Sequence, residues 1–138
     1  MIIDIQINSD SEDVPDRTLL SSWAKATLSY EKLSDVELTI RIVDEPEMTL
    51  RKGSTNVLSF PFEVPEGVDQ EILLLGDIII CAPVVMREAL AEKKEAITHW
   101  ALMVVHGVLH LLGYDHILDE EAEVMEKKEE EILGVIFG

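Results

Sequence analysis

Residues 96–116 read AITHWALMVVHGVLHLLGYDH, and this stretch decides the architecture that the sequence predicts. Apolar residues fall on nearly every side of a helix drawn over 96–112, a pattern typical of a helix that is buried all round. Gly113 predicts the end of that helix, because glycine adopts the left-handed conformation without a Cβ penalty. We therefore expect a central, buried helix that ends in a sharp turn.

All four histidines of the chain fall within this stretch, and three of them lie within the eleven residues 106–116. His106 and His110 are four residues apart, so they stack on one helix face, about 5–6 Å apart at Cβ, and can reach one ion. A turn at Gly113 can return the chain so that His116 supplies a third ligand. Core histidines satisfied by hydrogen bonds are the alternative, but that explanation must hold twice, and a shared cation is an efficient partner for buried imidazoles. The spacing predicts a metal site built by His106, His110 and His116.

The predicted ligand set also indicates what the metal does. Three histidines leave a fourth tetrahedral position open, which is the arrangement of catalytic rather than structural zinc. We expect one zinc ion per chain, although nickel or cobalt also accept three imidazoles. A noncatalytic module, in which the metal only fastens the fold, would need a fourth protein ligand, and the single thiol, Cys81, lies far away in sequence.

The spacing His-x-x-x-His-x-x-Gly-x-x-His is shared with the metzincin proteases, in which a glutamate follows the first histidine and acts as general base. Here that residue is Gly107. Without the carboxylate, peptide hydrolysis by the usual route lacks its proton acceptor. A small zincin-type metalloprotease is therefore the second hypothesis.

The segments around the histidine stretch show both strand and helix patterns. Period-two alternation and β-rich apolar runs predict strands at 3–7, 36–43, 57–62 and 72–80. Apolar residues at helical spacing predict helices at 15–30, 84–93, 96–112 and 119–133. Residues 44–54 are expected to form a loop. Since strands come first and helices last, we expect an α+β fold with about four strands in a mixed sheet.

Composition places the chain among globular proteins. Its 138 residues are 47% hydrophobic and 28% charged, which predicts one domain over 1–138. Cys81 lies in an apolar run, so we interpret it as a buried hydrophobe in a reducing compartment. The amino terminus lacks a secretion-signal pattern, and no apolar run reaches the ~20 residues of a membrane span. We expect a cytoplasmic protein with no membrane partner.

The formal net charge of −17 is unfavourable for a protein that coats nucleic acid, because phosphate binding relies on concentrated Lys and Arg. Much of the acid is local, since 119–131 holds eight acidic residues and resembles the solvated face of one helix. Six of the eleven basic residues lie within the first 52 positions. A local basic surface is therefore compatible with the composition.

Several motifs resemble the YbeY endoribonucleases, a family of bacterial ribosomal RNA maturation factors. They are HGVLHLLGYDH at 106–116, STNVLSFPFEVP at 54–65, LLGDIIIC at 74–81, HWALMVVHG at 99–107 and RIVDE at 41–45. The resemblance implies a zincin-like fold, a zinc held by three histidines and metal-dependent cleavage of single-stranded RNA. It further implies 16S rRNA 3′-end maturation and ribosome quality control, with the ribosome or a small-subunit ribosomal protein as partner.

The resemblance also implies a functional arginine in the connector between the RIVDE and TNVLSF motifs. That connector is longer in the family than the 46–54 segment here, so Arg51 is the candidate, with Lys52 beside it as a second substrate contact. A guanidinium binds phosphate well and stabilises charge that develops on it. We predict Arg51 and His106 as catalytic residues; exposed loop cations are the alternative for Arg51 and Lys52.

Three more residues are candidates to support this site. His99 lies two helical turns before His106, where it lines the approach to the metal and contacts RNA, or else has a capping or core role. Asp77 interrupts an apolar strand and is expected to accept hydrogen bonds from the backbone or from a ligand histidine, or to stand at a strand-end turn. Asp115 precedes the third ligand and is expected to orient an imidazole or act on a proton, or to cap the following turn.

Overall fold

A mixed sheet of four strands carries the helices in the computed structural model, which describes residues 1–52, 55–62, 73–115 and 117–138, with backbone only at 49–52. Its strands are β1 (Ile2–Asn8), β2 (Val36–Val43), β3 (Val57–Pro61) and β4 (Leu73–Cys81). Its helices are α1 (Arg17–Tyr30), α2 (Glu45–Lys52), α3 (Ala82–Ala91), α4 (Ala96–Leu111) and α5 (Asp119–Phe137). The predicted mixed sheet with packed helices is confirmed.

The strands are ordered β1-β2-β4-β3 across the sheet. β2 runs parallel to both β1 and β4, whereas β3 pairs antiparallel with β4 and forms one edge. The parallel pair β1 and β2 is joined by α1, because parallel neighbours need a crossover longer than a hairpin turn. The antiparallel edge strand β3 is the one that borders the site described below.

The predicted central helix is confirmed in α4, where ten of sixteen residues are buried. It contacts α1, α3, α5, β3 and β4. Trp100, Val104 and Val108 join the main core, in which Leu20 and Trp23 of α1 also pack. Each fully buried Leu or Val side chain contributes about 1.5–3 kcal/mol by leaving water, so this helix is firmly seated.

The prediction of a loop over 44–54 is wrong, because α2 spans Glu45–Lys52. Among the side chains of this helix that the structure describes, 45–48, Met48 is the buried one; it is 0% exposed and packs in a small cluster with Val43, Ile79 and Cys81. Glu45 and Glu47 in its first turn complement the positive end of the helix dipole. A short, mostly polar helix leaves no periodic signal in the sequence.

Two other boundaries differ from the prediction for physical reasons. α5 continues to Phe137, beyond the expected end at 133, because Leu133 and Ile136 pack against the core. α3 begins at Ala82 rather than at 84, with Pro83 in its first turn, where the missing proline N–H breaks no helical hydrogen bond. Within the described residues, no helix is long and apolar enough to cross a membrane.

Candidate functional site

His106 and His110 lie side by side near the carboxyl end of α4. Their ring centroids are 4.6 Å apart and their planes are inclined at 72°. This neighbourhood follows from the helix itself, because residues four apart stack on one face. Two imidazoles at this separation can serve one metal ion, as the spacing predicts.

The end of α4 turns sharply at Gly113, which adopts the left-handed conformation with φ +102°. The Tyr114 N–H donates to the Leu109 carbonyl at 3.1 Å, and the Gly113 N–H donates to the His110 carbonyl at 3.0 Å. These two bonds form a Schellman motif, in which an unstrained left-handed residue is needed. The predicted end of the helix at Gly113 is confirmed. That this turn brings His116 to the metal stays a prediction.

Lys128 on α5 fixes this turn from outside. Its ammonium lies 5.2 Å from the Tyr114 ring centroid and 5.6 Å from that of Tyr30, and it donates to Glu31 at 3.0 Å. The bonds to Tyr114 and Glu31 raise the pKa of Lys128 above its usual value. The cation is therefore fully charged at neutral pH and ties the turn to two helices.

Glu129, the next residue on α5, supports His106 directly. Its Oε2 lies 2.9 Å from His106 Nδ1, and the residue is only 8% exposed. A carboxylate on Nδ1 favours the tautomer whose lone pair is on Nε2, the arrangement that orients ligand histidines in metal sites. The sequence assigned no chemistry to Glu129. The available signal was its position on the buried stripe of α5 with Met125 and Ile132.

The two histidines open onto a cleft of about 470 Å³ whose opposite wall is residues 55–59. The Ser59 hydroxyl donates to the Gly107 carbonyl at 3.1 Å and so ties β3 to α4. On the helix, Gly107 approaches the sheet so closely that a Cβ there would lie 2.7 Å from Ile78 Cγ2. A glutamate cannot occupy position 107 without displacing this core side chain, so the position of the metzincin general base is closed by packing.

The chain that carries this histidine cleft matches a family model described as Endoribonuclease YbeY over residues 4–136. The chain belongs to the YbeY endoribonuclease family. An Endoribonuclease YbeY of Alteromonas mediterranea is 51% identical, with 96% of this chain and 90% of the relative covered. One from Alcanivorax borkumensis is 50% identical, with 96% and 81% covered.

The fold agrees with this YbeY membership. The solution structure of TM1509 from Thermotoga maritima matches with a TM-score of 0.62 at 24% identity, covering 94% of this chain and 86% of that one. At that identity the likeness shows the fold alone. The arrangement of β1-β2-β4-β3 with helices on the sheet is thus a fold already seen in a solved structure.

His99, from the HWALMVVHG motif of this YbeY-family chain, lies away from the cleft. It is 3% exposed, and its Nε2 lies 3.1 Å from Glu88 Oε1 on α3. Burial excludes the predicted contact with RNA, and the core alternative is the one that the structure supports. The Asn56 carboxamide donates to both Glu88 oxygens, at 3.1 and 3.2 Å. Glu88 therefore links the buried His99 to Asn56 on the cleft wall.

Asp77 does not support either of the two described ligand candidates, His106 and His110. In the β3–β4 register it pairs with Phe60, whereas the neighbouring pair, Ser59 and Ile78, faces α4. Because successive side chains of a strand point to opposite faces, Asp77 projects from the face of the sheet turned away from the histidines. It is exposed there, so water can solvate its carboxylate and no burial penalty arises.

Four more residues were predicted to belong to the site: Asp115, His116, Arg51 and Lys52. Asp115 borders a surface depression together with Tyr114, Glu120 and Glu121, and its role beside the third ligand stays a prediction. His116 lies outside the described residues. Arg51 and Lys52 belong to the last turn of α2, and their side chains lie outside the described part of the chain.

Cys81 is a buried core residue, as the sequence predicts. It packs with Met48 and Ile79, and burial raises the pKa of its thiol above the usual value. A protonated thiol is a poor metal ligand and a poor nucleophile. Among the described residues, no group of three or more His, Cys, Asp or Glu side chains could hold a metal ion, so the three-histidine site depends on His116.

Proposed function

We propose that this chain is a zinc-dependent endoribonuclease that cleaves single-stranded RNA at the cleft between α4 and residues 55–59. The observation that carries the proposal is the pair of adjacent imidazoles facing this cleft, one of them oriented by Glu129. Family membership supplies the reaction class, since the matched relatives are named endoribonucleases.

The donor set fits zinc. Imidazole nitrogens are preferred zinc ligands, and a carboxylate behind a ligand histidine raises its basicity. His106 and His110 would hold the ion together with His116, which follows Gly113 by three residues. When bound, the ion supplies Lewis acidity that stabilises charge developing on phosphate oxygens. Nickel or cobalt would accept the same nitrogens.

The protein groups around the ion have separable tasks. Glu129 fixes the ring of His106, and the bond from Ser59 to Gly107 sets the width of the cleft. Arg51 would bind a phosphate or the charge that develops on it, and Lys52 would add a further phosphate contact. Asp115 would orient an imidazole or act on a proton at the same turn.

Zinc dependence is tested by chelating the purified protein and restoring zinc, nickel, cobalt or manganese separately. We expect one ion per chain, loss of cleavage of a single-stranded RNA oligonucleotide on chelation, and recovery with zinc. Casein should remain intact throughout, because position 107 carries no general base. Cleavage of RNA that survives complete metal removal would overturn the proposal, and so would cleavage of casein in place of RNA.

The natural substrate that we propose is the 3′ end of 16S rRNA, processed in the cytoplasm, with a role in ribosome quality control. The net charge of −17 favours recognition through the ribosome or a basic small-subunit ribosomal protein over tight binding of free RNA. Affinity for free RNA should therefore be weak and should fall steeply between 50 and 200 mM salt, on the order of tenfold or more. Tight, salt-resistant binding of naked RNA would contradict this.

A further inference from the structure

β3 is an edge strand, because among the described residues no strand pairs with one side of its backbone. The pairing pattern tells which residues point that way. The Cys81 N–H donates to the Asn56 carbonyl and the Phe62 N–H donates to the Leu75 carbonyl, both at 2.9 Å. Antiparallel strands alternate, so even-numbered residues from 56 to 62 bond β4 and odd-numbered residues direct their backbone N–H and C=O outward.

On the outward edge, only one residue between 57 and 61 has a backbone N–H that can donate to a ligand. The Val57 N–H is taken by the side chain of Asn56, which accepts it at 2.7 Å. Pro61 has no N–H to offer, and proline is tolerated at such outward positions of an edge strand. Ser59 is the residue between them. Among the described residues, none forms a hydrogen bond with its outward N–H or C=O.

This edge faces the histidine cleft. Five consecutive residues, 55–59, line it opposite His106 and His110. Side chains of one strand alternate between two faces, so a wall made of consecutive residues is presented edge-on, with backbone groups toward the cleft. The Ser59 backbone pair is therefore accessible from the space where the substrate would lie.

We propose that Ser59 reads one nucleotide of the RNA through its backbone, the N–H donating to a base and the C=O accepting from it. The inference rests on the proposed ribonuclease function and deepens it, because it names a contact that selects the cleavage context. Unstacked bases of single-stranded RNA expose edges with adjacent donors and acceptors, which suits such a pair. The backbone N–H and C=O of Ser59 are also held in a fixed geometry, which selective recognition of a base requires.

A single base fits this edge better than an added peptide strand does. Strand addition needs donors and acceptors on alternate residues along the edge. Here the donors before and after Ser59 are absent, because Asn56 caps one and Pro61 lacks the other. The single N–H donor of Ser59, with the carbonyl of the same residue, is enough for one base, whereas a ladder needs several donors.

The edge is held rigid from behind. Asn56 is fixed by Glu88, and Glu88 in turn contacts the buried His99 at 3.1 Å. The Ser59 hydroxyl bonds the Gly107 carbonyl at 3.1 Å, next to the first metal-binding histidine. These bonds preorganise the edge relative to the histidines, which lowers the ordering cost of binding.

The test compares Ser59→Pro with Ser59→Ala in the zinc-loaded protein. Both variants lose the hydroxyl, but only proline removes the outward N–H, and it leaves the bonds to β4 intact. We expect Ser59→Pro to show a KM for single-stranded RNA oligonucleotides roughly five- to tenfold above that of Ser59→Ala, with similar kcat and zinc content. Preference among oligonucleotides that differ at one position near the cleavage site should also flatten in Ser59→Pro only.

A second measurement guards against misfolding of Ser59→Pro. Hydrogen exchange of the Ser59 amide in His110→Ala should slow at least about fivefold when a single-stranded RNA oligonucleotide is added, while amides of β1, the other edge strand, should not respond. Equal KM values and equal base preferences in the two Ser59 variants, or an unprotected Ser59 amide, would overturn the inference. If the unsubstituted protein does not cleave RNA at all, the proposed function fails instead.

Discussion

Two histidines of α4 each contact a glutamate of a neighbouring helix, and the two pairs have the same chemistry in different surroundings. His99 lies 3.1 Å from Glu88 and has a side chain that is 4% exposed. His106 lies 2.9 Å from Glu129 and has a side chain that is 22% exposed, beside His110 and the cleft. The first pair joins α4 to α3 inside the protein, and the second presents an imidazole where an ion and a substrate can reach it.

A carboxylate that contacts a buried histidine therefore does not by itself indicate a metal site. Both carboxylates orient a ring, but only one ring has a second imidazole 4.6 Å away. Glu88 instead passes its orientation to Asn56 on the cleft wall. We therefore expect loss of Glu129 to affect metal binding and loss of Glu88 to affect stability and the shape of the cleft.

Among substitutions of the two glutamates, the larger change is expected in metal affinity. Glu129→Ala should weaken zinc binding about 10- to 100-fold, because the ring of His106 loses the carboxylate that orients it. Glu88→Ala should change zinc affinity by less than about twofold, since His99 is no ligand. Competition with a chromophoric chelator measures both. Equal losses in the two variants would mean that the pairs are not functionally distinct.

Stability should show the reverse order. Glu88→Ala leaves His99 buried with no partner for Nε2, and among the described residues Nδ1 already has none, so the free energy of unfolding should fall by about 2 kcal/mol. Glu129→Ala should lower it by about 1 kcal/mol or less, because water can reach the partly exposed His106. Urea unfolding of the metal-free proteins tests this, and Glu88→Gln, which keeps one acceptor oxygen, should recover part of the loss.

The packing of α4 on the sheet at Gly107, directly after His106, gives a third test. Gly107→Ala places a Cβ 2.7 Å from Ile78 Cγ2, a contact that forces one element to move. Overpacking of this kind should lower the free energy of unfolding by about 1–2 kcal/mol and also weaken zinc binding, since His106 and His110 move with the helix. An unchanged zinc affinity at reduced stability would show that the site tolerates such a shift.

The smallest effects concern the turns that end the two helices. Lys93 closes α3 in the left-handed conformation with φ 55°, and Gly113 closes α4. Lys93→Gly should raise the free energy of unfolding by roughly 0.5–1 kcal/mol, seen as a higher midpoint of urea unfolding, without changing zinc affinity. Gly113→Ala should lower stability by about 1 kcal/mol and also reduce zinc affinity, because position 116 follows this turn. A pure stability effect at Gly113 would argue against the third ligand.

The sequence predicted the fold wherever one face of an element is apolar. β2 was predicted with the observed bounds, and α1 and α4 follow from their helical spacing. α2 was missed because its eight residues, Glu45–Lys52, are mostly polar and show no apolar periodicity. The orientation of Asp77 was missed because Ile78–Cys81 is buried on both faces, so the strand shows no alternation from which a face can be assigned.

The site was predictable in its histidines and not in its supporting groups. The spacing of His106 and His110 fixes their proximity through helix geometry alone. Glu129 could not be assigned, because its contact joins residues 23 apart on two helices and depends on how α5 packs. His99 misled for the related reason that its distance along α4 resembles the ligand spacing, whereas packing against α3 buries it.

The most direct test of the central claim is the zinc content and RNA cleavage of His110→Ala beside Lys127→Ala, an exposed substitution on α5. His110→Ala should bind less than one tenth of an equivalent of zinc at micromolar metal and should lose more than about a hundredfold in kcat/KM for single-stranded RNA, because removing a ligand exceeds the 10- to 100-fold effect of removing its support. Lys127→Ala should keep one zinc per chain and full cleavage. A His110→Ala protein that remains folded and cleaves RNA at the unsubstituted rate would contradict the assignment of this histidine pair as the reaction centre.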